Sequence, residues 1–179
     1  MVTTPKQIRA RIRRWYVPNA VYFITAVTRD RRLVFRDDPN VELLRATMRC
    51  AKEHHPFAMR AYVFLPDHFH LLIFVPETTN ISKLLQSIQR NFTRNYKEVY
   101  NINRPTHMWQ RGFWDHVIRD EDDFINHLDY IHYNPVKHRC VDKPEAYKHT
   151  SFHEYVKRGW YEPGWGHTEP DSISKLDFE

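Results

Sequence analysis

The tract spanning residues 57–75 constrains the fold most. Residues 57–65 (FAMRAYVFL) and 69–75 (FHLLIFV) are apolar, β-branched and aromatic, and Pro66-Asp67 marks a tight turn between them. Two such runs joined by so short a break predict an antiparallel hairpin. In a strand, successive side chains point to opposite faces, so His68 and His70 share one face while Phe69 and Leu71 enter the other. The chain must therefore bury one side of this hairpin and present two imidazoles on the other.

The flanking segments supply the rest of a layer. Residues 20–28 (AVYFITAVT) predict a first strand, with a charged turn at residues 29–32 and a short return strand at residues 33–35. Residues 39–55 predict a helix capped by Asp37 or Asp38, with Pro39 at its first position and Val41, Leu44, Met48 and Ala51 as its apolar stripe. Residues 81–100 predict a second helix, opened by Asn80 or Ser82, and residues 113–118 a fourth strand. Residues 121–134 predict a third helix, stopped by Pro135, and residues 151–158 a short fourth one. The order β-α-β-β-α-β followed by a further helix is the ferredoxin-like split βαβ arrangement, an α+β fold. The expectation is an antiparallel sheet of four to five strands, with helices on one face and an extra C-terminal helix carrying a candidate tyrosine.

At 179 residues this is one domain (residues 19–160) with a basic arm (1–18) and an acidic, mobile tail (161–179). No apolar run is long enough to span a membrane, and no signal core is present, so a cytoplasmic setting is expected. Cys50 and Cys140 are too few for a disulfide framework and read as structural thiols. Net charge is +5, and the basic residues concentrate in the first 36 positions, where Asp30 is the one acid. With aromatics at 15% of the chain, that asymmetry points to a polyanion whose bases can stack, although a solvated basic face has the same signature.

A His-apolar-His strand is by itself more often two half-exposed histidines than a metal site. Context strengthens the metal reading. Asp67 can hold the second nitrogen of an imidazole, as metal histidines require. Downstream, Tyr130 and Asn134 stand four apart on the third helix, hence on one face. If that helix crosses the histidine face, Asn134 completes a His-His-Asn set that suits Mg²⁺ or Mn²⁺ better than a closed zinc site. Tyr130 then has a phosphodiester to attack. Its hydroxyl, with an ordinary pKa of about 10, needs help to ionise, and His116 and His132 are candidates to give it. Tyr133 is a rival nucleophile, only about 60° around the helix from Tyr130. Because Asn134 precedes a proline, the Tyr130–Asn134 pair is expected in a frayed last turn.

Three segments together carry a resemblance: Asp67-His68-Phe69-His70; Trp109-Gln110 with Phe113 and Asp115-His116-Val117-Ile118-Arg119; and Tyr130-Ile131-His132-Tyr133-Asn134-Pro135-Val136. They resemble the REP-associated tyrosine transposases, single-tyrosine members of the HUH endonuclease superfamily allied to the single-strand insertion-sequence transposases. Arg14-Trp15-Tyr16-Val17-Pro18, Tyr22-Phe23-Ile24-Thr25 and Arg31-Arg32 look like that family's opening. The resemblance implies His68, His70 and Asn134 as ligands of Mg²⁺ or Mn²⁺, Tyr130 as nucleophile in preference to Tyr133, and single-stranded DNA with a hairpin as substrate. It departs from the family at Arg139-Cys140, where glycine is common. Candidate DNA contacts are Arg13, Arg14, Arg29, Arg31, Arg32, Lys83, Gln86, Arg90, Arg94 and Arg119, with Tyr16, Trp109 and Trp114 as stacking platforms. The expected protein is a monomer, with a dimer as the alternative, working at the nucleoid. Two other readings remain: a metal-dependent phosphodiesterase using water, and a non-catalytic hairpin binder.

Overall fold

A computed structural model describes residues 16–173 of the chain. Four strands, β1 (Ala20–Val27), β2 (Ala58–Phe64), β3 (His68–Val75) and β4 (Trp114–Val117), form one sheet in the order β2-β3-β1-β4. Every neighbouring pair is antiparallel. Helices α1 (Asp38–His54) and α2 (Ile81–Val99) follow β1 and β3, α3 (Glu121–Lys137) follows β4, and α4 (Phe152–Lys157) comes last. This is the anticipated α+β, split βαβ arrangement, with four strands rather than five.

Strand alternation divides the interior into two cores. Tyr22, Ile24 and Ala26 of β1 and Phe69, Leu71 and Ile73 of β3 pack under α1 and α2. Phe23 of β1, Leu72 of β3 and Ala61 and Val63 of β2 pack under α3 and α4, against Leu128, Ile131, Phe152 and Tyr155. The central strands are thus buried on both sides, and His68 and His70, in phase with Leu72, lie beneath α3.

Several expectations are corrected. Residues 33–35 form no return strand; Val34–Arg36 is a 3₁₀ turn. Both edges of β1 are already taken by β3 and β4, and left-handed Asp30 and Arg31 (φ 56° and 47°) turn the chain away. Thr28 fastens that turn, its hydroxyl donating to the Arg32 and Asp67 carbonyls. Asp38 does not cap α1 but pairs with Lys148 and His149. Asn80 does cap α2, accepting from the Lys83 amide at 3.0 Å.

Helix α3 does not stop before Pro135 but runs through it to Lys137. Proline removes one hydrogen bond near the end of a helix, where the closing turn can compensate. Here the Cys140 amide donates to the Pro135 carbonyl and the Arg139 amide to that of Val136, with Arg139 left-handed at φ 54°. Those are the paired bonds of a Schellman closure. Arg139 therefore occupies a left-handed conformation that glycine adopts more readily.

The acidic tail expected from residue 161 is part of the fold as far as Ile173: Tyr161, Trp165 and Ile173 join the second core. Amphipathic aromatic residues, spaced among the acids, outweigh the local charge. Cys50 and Cys140 are both exposed, not structural core thiols.

Candidate active site

The site forms where β3 passes under α3. His68 and His70 are 1% and 0% exposed, with ring centroids 4.9 Å apart and planes at 84°. Each is held through Nδ1. His68 Nδ1 lies 2.6 Å from Asp67 Oδ1, and Asp67 in turn accepts from Arg31 at 3.0 Å. Burial works to raise the Asp67 carboxyl, but His68 and Arg31 outweigh it and hold it below its ordinary value. An ionised carboxylate can only accept, so Nδ1 of His68 is the donor in this pair, and Nε2 is the nitrogen turned to a ligand in the neutral ring. His70 Nδ1 lies 2.8 Å from Thr25 Oγ1, its directly opposed partner on β1.

Helix α3 brings a stripe of three residues, four apart, to this pair. Its first member, Tyr130, packs edge-on against His70 at 5.4 Å, and its last, His138, sits 4.9 Å from His68. The middle member, Asn134, is therefore placed between the two histidines. It is completely buried, and neither its Oδ1 nor its Nδ2 has a hydrogen-bond partner among the described residues. A carboxamide left so costs several kcal/mol at the high end of the transfer scales, roughly 2–7. A cation accepting Oδ1 beside two imidazoles removes part of that cost, so the donor set fits a divalent ion. Tyr130 is 1% exposed, and Lys137 lies over it, Nζ 3.3 Å from the phenolic oxygen.

The other expected residues divide. Tyr133 packs toward the segment around Pro144 and Gly166, and burial pushes its hydroxyl up. His132 is not at the site. It is buried on the opposite side of α3, with its nitrogens 2.8 Å from Tyr161 Oη and Ser151 Oγ, and desolvation lowers its pKa to about 3. Two residues beyond Tyr130 is 200° around a helix, which is why it faces away. His116 lies beyond the Phe23 ring, stacked on His127 at 4.7 Å and 2.8 Å from Asp123 Oδ2. Arg119 closes the same cluster on Asp123 at 3.0 Å.

Of the basic candidates, Arg31 supports Asp67, and Arg32 donates to the His107 carbonyl at 2.8 Å. Arg29 is exposed at the turn beside them. Lys83, Gln86, Arg90 and Arg94 are exposed on α2, in the other layer of the molecule. Arg90, Arg94, Met108 and Trp109 line a groove of about 930 Å³, and the Met108 carbonyl accepts from the Arg29 amide at 2.8 Å. Trp109 is held in the core, its indole N–H donating to the Gln89 carbonyl, whereas Trp114 is 42% exposed. Tyr16 is tied down by its hydroxyl to the Thr79 carbonyl. Arg13 and Arg14 lie outside the described residues. Thr25, Lys137 and His138 were not foreseen. Their signals were present: Thr25 alternates with the apolar residues of β1, and 130, 134, 137 and 138 share a helical face.

A buried histidine pair faced by a helical tyrosine and asparagine defines a class. Residues 16–134 match the family described as Transposase IS200 like, so the chain is an enzyme of the transposase type. Within that class it belongs to the REP-associated tyrosine transposases. A Haemophilus influenzae protein of that name is 39% identical over 174 residues, covering 93% of this chain and 98% of the relative. An Escherichia coli K12 REP-associated tyrosine transposase is 34% identical over 154 residues, covering 86% and 88%. Among solved structures, a REP-associated tyrosine transposase bound to a REP hairpin superposes with a TM-score of 0.76 at 29% identity, covering 94% of this chain and 99% of that one.

Proposed function

We propose that this chain cleaves and rejoins single-stranded DNA at hairpin elements through a 5′-phosphotyrosine on Tyr130. The observation that carries the reading is the α3 stripe: Tyr130 against His70, His138 against His68, and, midway between Tyr130 and His138 on the helix, an unsatisfied Asn134. His68, His70 and Asn134 would hold Mg²⁺ or Mn²⁺, which when bound supplies Lewis-acid stabilisation of charge on the phosphate. Asp67 and Thr25 orient the two imidazoles. Tyr130 attacks phosphorus, and the 3′-hydroxyl leaves with the proton the phenol gives up. The phosphotyrosine keeps the ester, so a second 3′-hydroxyl reverses the step and joins a new end. Tyr130 stands beside the histidines of its own chain, which favours action in cis by a monomer. Trapping the phosphoryl group buried under α3 requires local opening, since Tyr130 is nearly covered.

Hairpin recognition is supported by the likeness to the hairpin-bound transposase. Arg90 and Arg94, which line the groove beside α2, and Arg29, whose amide bonds to the groove-lining Met108, would carry the DNA by phosphate contacts. Work at the nucleoid follows from such a substrate. The test is incubation of a 5′- and 3′-labelled single-stranded REP hairpin with Mn²⁺, followed by denaturing electrophoresis. A covalent adduct is expected with the native chain and with Tyr133→Phe, and none with Tyr130→Phe or His70→Ala. Cleavage without an adduct would establish the water-using phosphodiesterase instead. Binding without cleavage, unaffected by His68→Ala and His70→Ala, would establish the non-catalytic binder.

A further inference from the structure

We propose that Lys137 is a catalytic residue of this reaction, binding a non-bridging oxygen of the phosphate that Tyr130 attacks. The inference rests on the reading of Tyr130 as nucleophile and adds a second group at its oxygen. Lys137 is two helical turns beyond Tyr130, on the same side of α3. Side chains of a helix slant toward its N-terminus, so a long stem at position 137 reaches back over position 130. It does so here: Nζ lies 4.8 Å above the Tyr130 ring and 3.3 Å from its oxygen. Lys137 itself is exposed. Among the described residues no carboxylate pairs with it, so its charge stays directed at the phenolic oxygen.

That position has a chemical consequence. For in-line attack, phosphorus must come within about 3–3.5 Å of the tyrosine oxygen. The equatorial oxygens of the phosphate then enter the space around that oxygen, within hydrogen-bond reach of an ammonium already 3.3 Å away. As the Tyr130 O–P bond forms and the P–O3′ bond breaks, the bonding pair departs on O3′, which takes up the proton released by the phenol. Lys137 takes no part in the proton transfer. Its part is to meet the charge spread over the equatorial oxygens. A surface lysine that only stacked on an aromatic ring would need its stem and charge but no phosphate, and the two roles separate experimentally.

Lys137→Met keeps an unbranched stem over the ring and removes the charge. The measurement is the single-turnover rate of adduct formation at saturating hairpin in Mn²⁺, beside hairpin Kd and thermal midpoint. Loss of one preorganised charge-stabilising donor typically lowers rate by about 10²–10³-fold. The expected result is a fall of at least about tenfold in the Lys137→Met rate, with Kd changed less than about threefold, and Lys137→Arg recovering most of it. A Lys137→Met rate within tenfold of the native one, or a loss that more hairpin restores, overturns the proposal. The two readings fail separately. An adduct on Tyr130→Phe sinks the nucleophile, and with it this role. Adduct lost in Tyr130→Phe but formed normally by Lys137→Met sinks the lysine alone.

Discussion

Asp67→Asn isolates the support of the histidine pair from the pair itself. The side chain is nearly isosteric, its backbone carbonyl still accepts from Thr28, and His68 and His70 remain. What changes is the 2.6 Å contact to His68 Nδ1, now made by a neutral amide, and the 3.0 Å pair with Arg31. Arg31 is half exposed, so its loss contributes little, about 0–1 kcal/mol at most. The His68 contact is different, because His68 is 1% exposed and a hydrogen bond to a charged acceptor contributes roughly 1.5–3 kcal/mol. An asparagine can also present its NH₂ to Nδ1, which would shift the proton to Nε2 and block the ligand nitrogen. Partners of this kind alter metal affinity by about 10–100-fold, or roughly 1.4–2.7 kcal/mol, which agrees with the hydrogen-bond figure. Isothermal titration of Mn²⁺ into the Asp67→Asn and native proteins should thus show Kd weakened by one to two orders of magnitude. Adduct formation should be largely recovered at high Mn²⁺. A Kd within twofold of the native value would mean that His68 does not act through Nε2, and the ligand assignment would fall with it.

Two further outcomes follow from the ends of α3. Arg139→Gly should stabilise the protein: relief of a left-handed non-glycine residue is worth about 1–2 kcal/mol, and the added freedom of the unfolded chain removes about 0.4–1 of it. A thermal midpoint raised by about 1–4 °C is expected, and an unchanged or lowered midpoint counts against the Schellman reading. At the other end, Asp123 is held well below the carboxylate range; burial opposes this, but Arg119 and His116 prevail. A depressed folded pKa stabilises above the unfolded value of about 4 and is lost as pH falls toward the folded one. Asp123→Asn should therefore cost on the order of 2 kcal/mol at neutral pH and flatten the loss of urea stability below about pH 4. Native and variant curves running parallel through that range would refute it.

Most of the scaffold was legible because it follows from periodicity. β2, β3, α1 and α2 are runs whose apolar spacing has one good interpretation, and the hairpin turn set which face His68 and His70 would share. The errors arose where tertiary competition decides. Residues 33–35 have strand-like composition, but no edge of β1 remained for them. Asn134-Pro135 looks like a helix stop, yet Pro135 falls close enough to the C-terminus for Cys140 and Arg139 to close the turn. His132 resembles its neighbours in sequence and differs only in angular position. Segment 161–173 reads as tail by charge, while Tyr161 Oη donates to buried Asp129 and Ser172 Oγ reaches the same carboxylate at 2.7 Å. Composition cannot display such pairings, because their partners are more than 30 residues away.

The site itself depends on two unlike periods nearly coinciding. Two residues of β3 advance about 6.6 Å, and four residues of α3 advance about 6 Å along its axis. The helix runs antiparallel to the strand, since Tyr130 meets His70 and the later His138 meets His68. Three helical residues at the second spacing thus bracket two strand residues at the first, and the middle one, Asn134, has to lie between the histidines. A carboxamide there reaches both imidazoles' side of the gap, whereas one residue of slip would swing it about 100° into the core around Ile131. That explains why α3 continues through Pro135. Had the helix ended at Asn134, His138 would have left the stripe and Lys137 would have lost its reach to the Tyr130 oxygen. The Schellman closure beyond Lys137 serves the candidate site as much as the fold, because it keeps the last turn wound where Asn134, Lys137 and His138 attach.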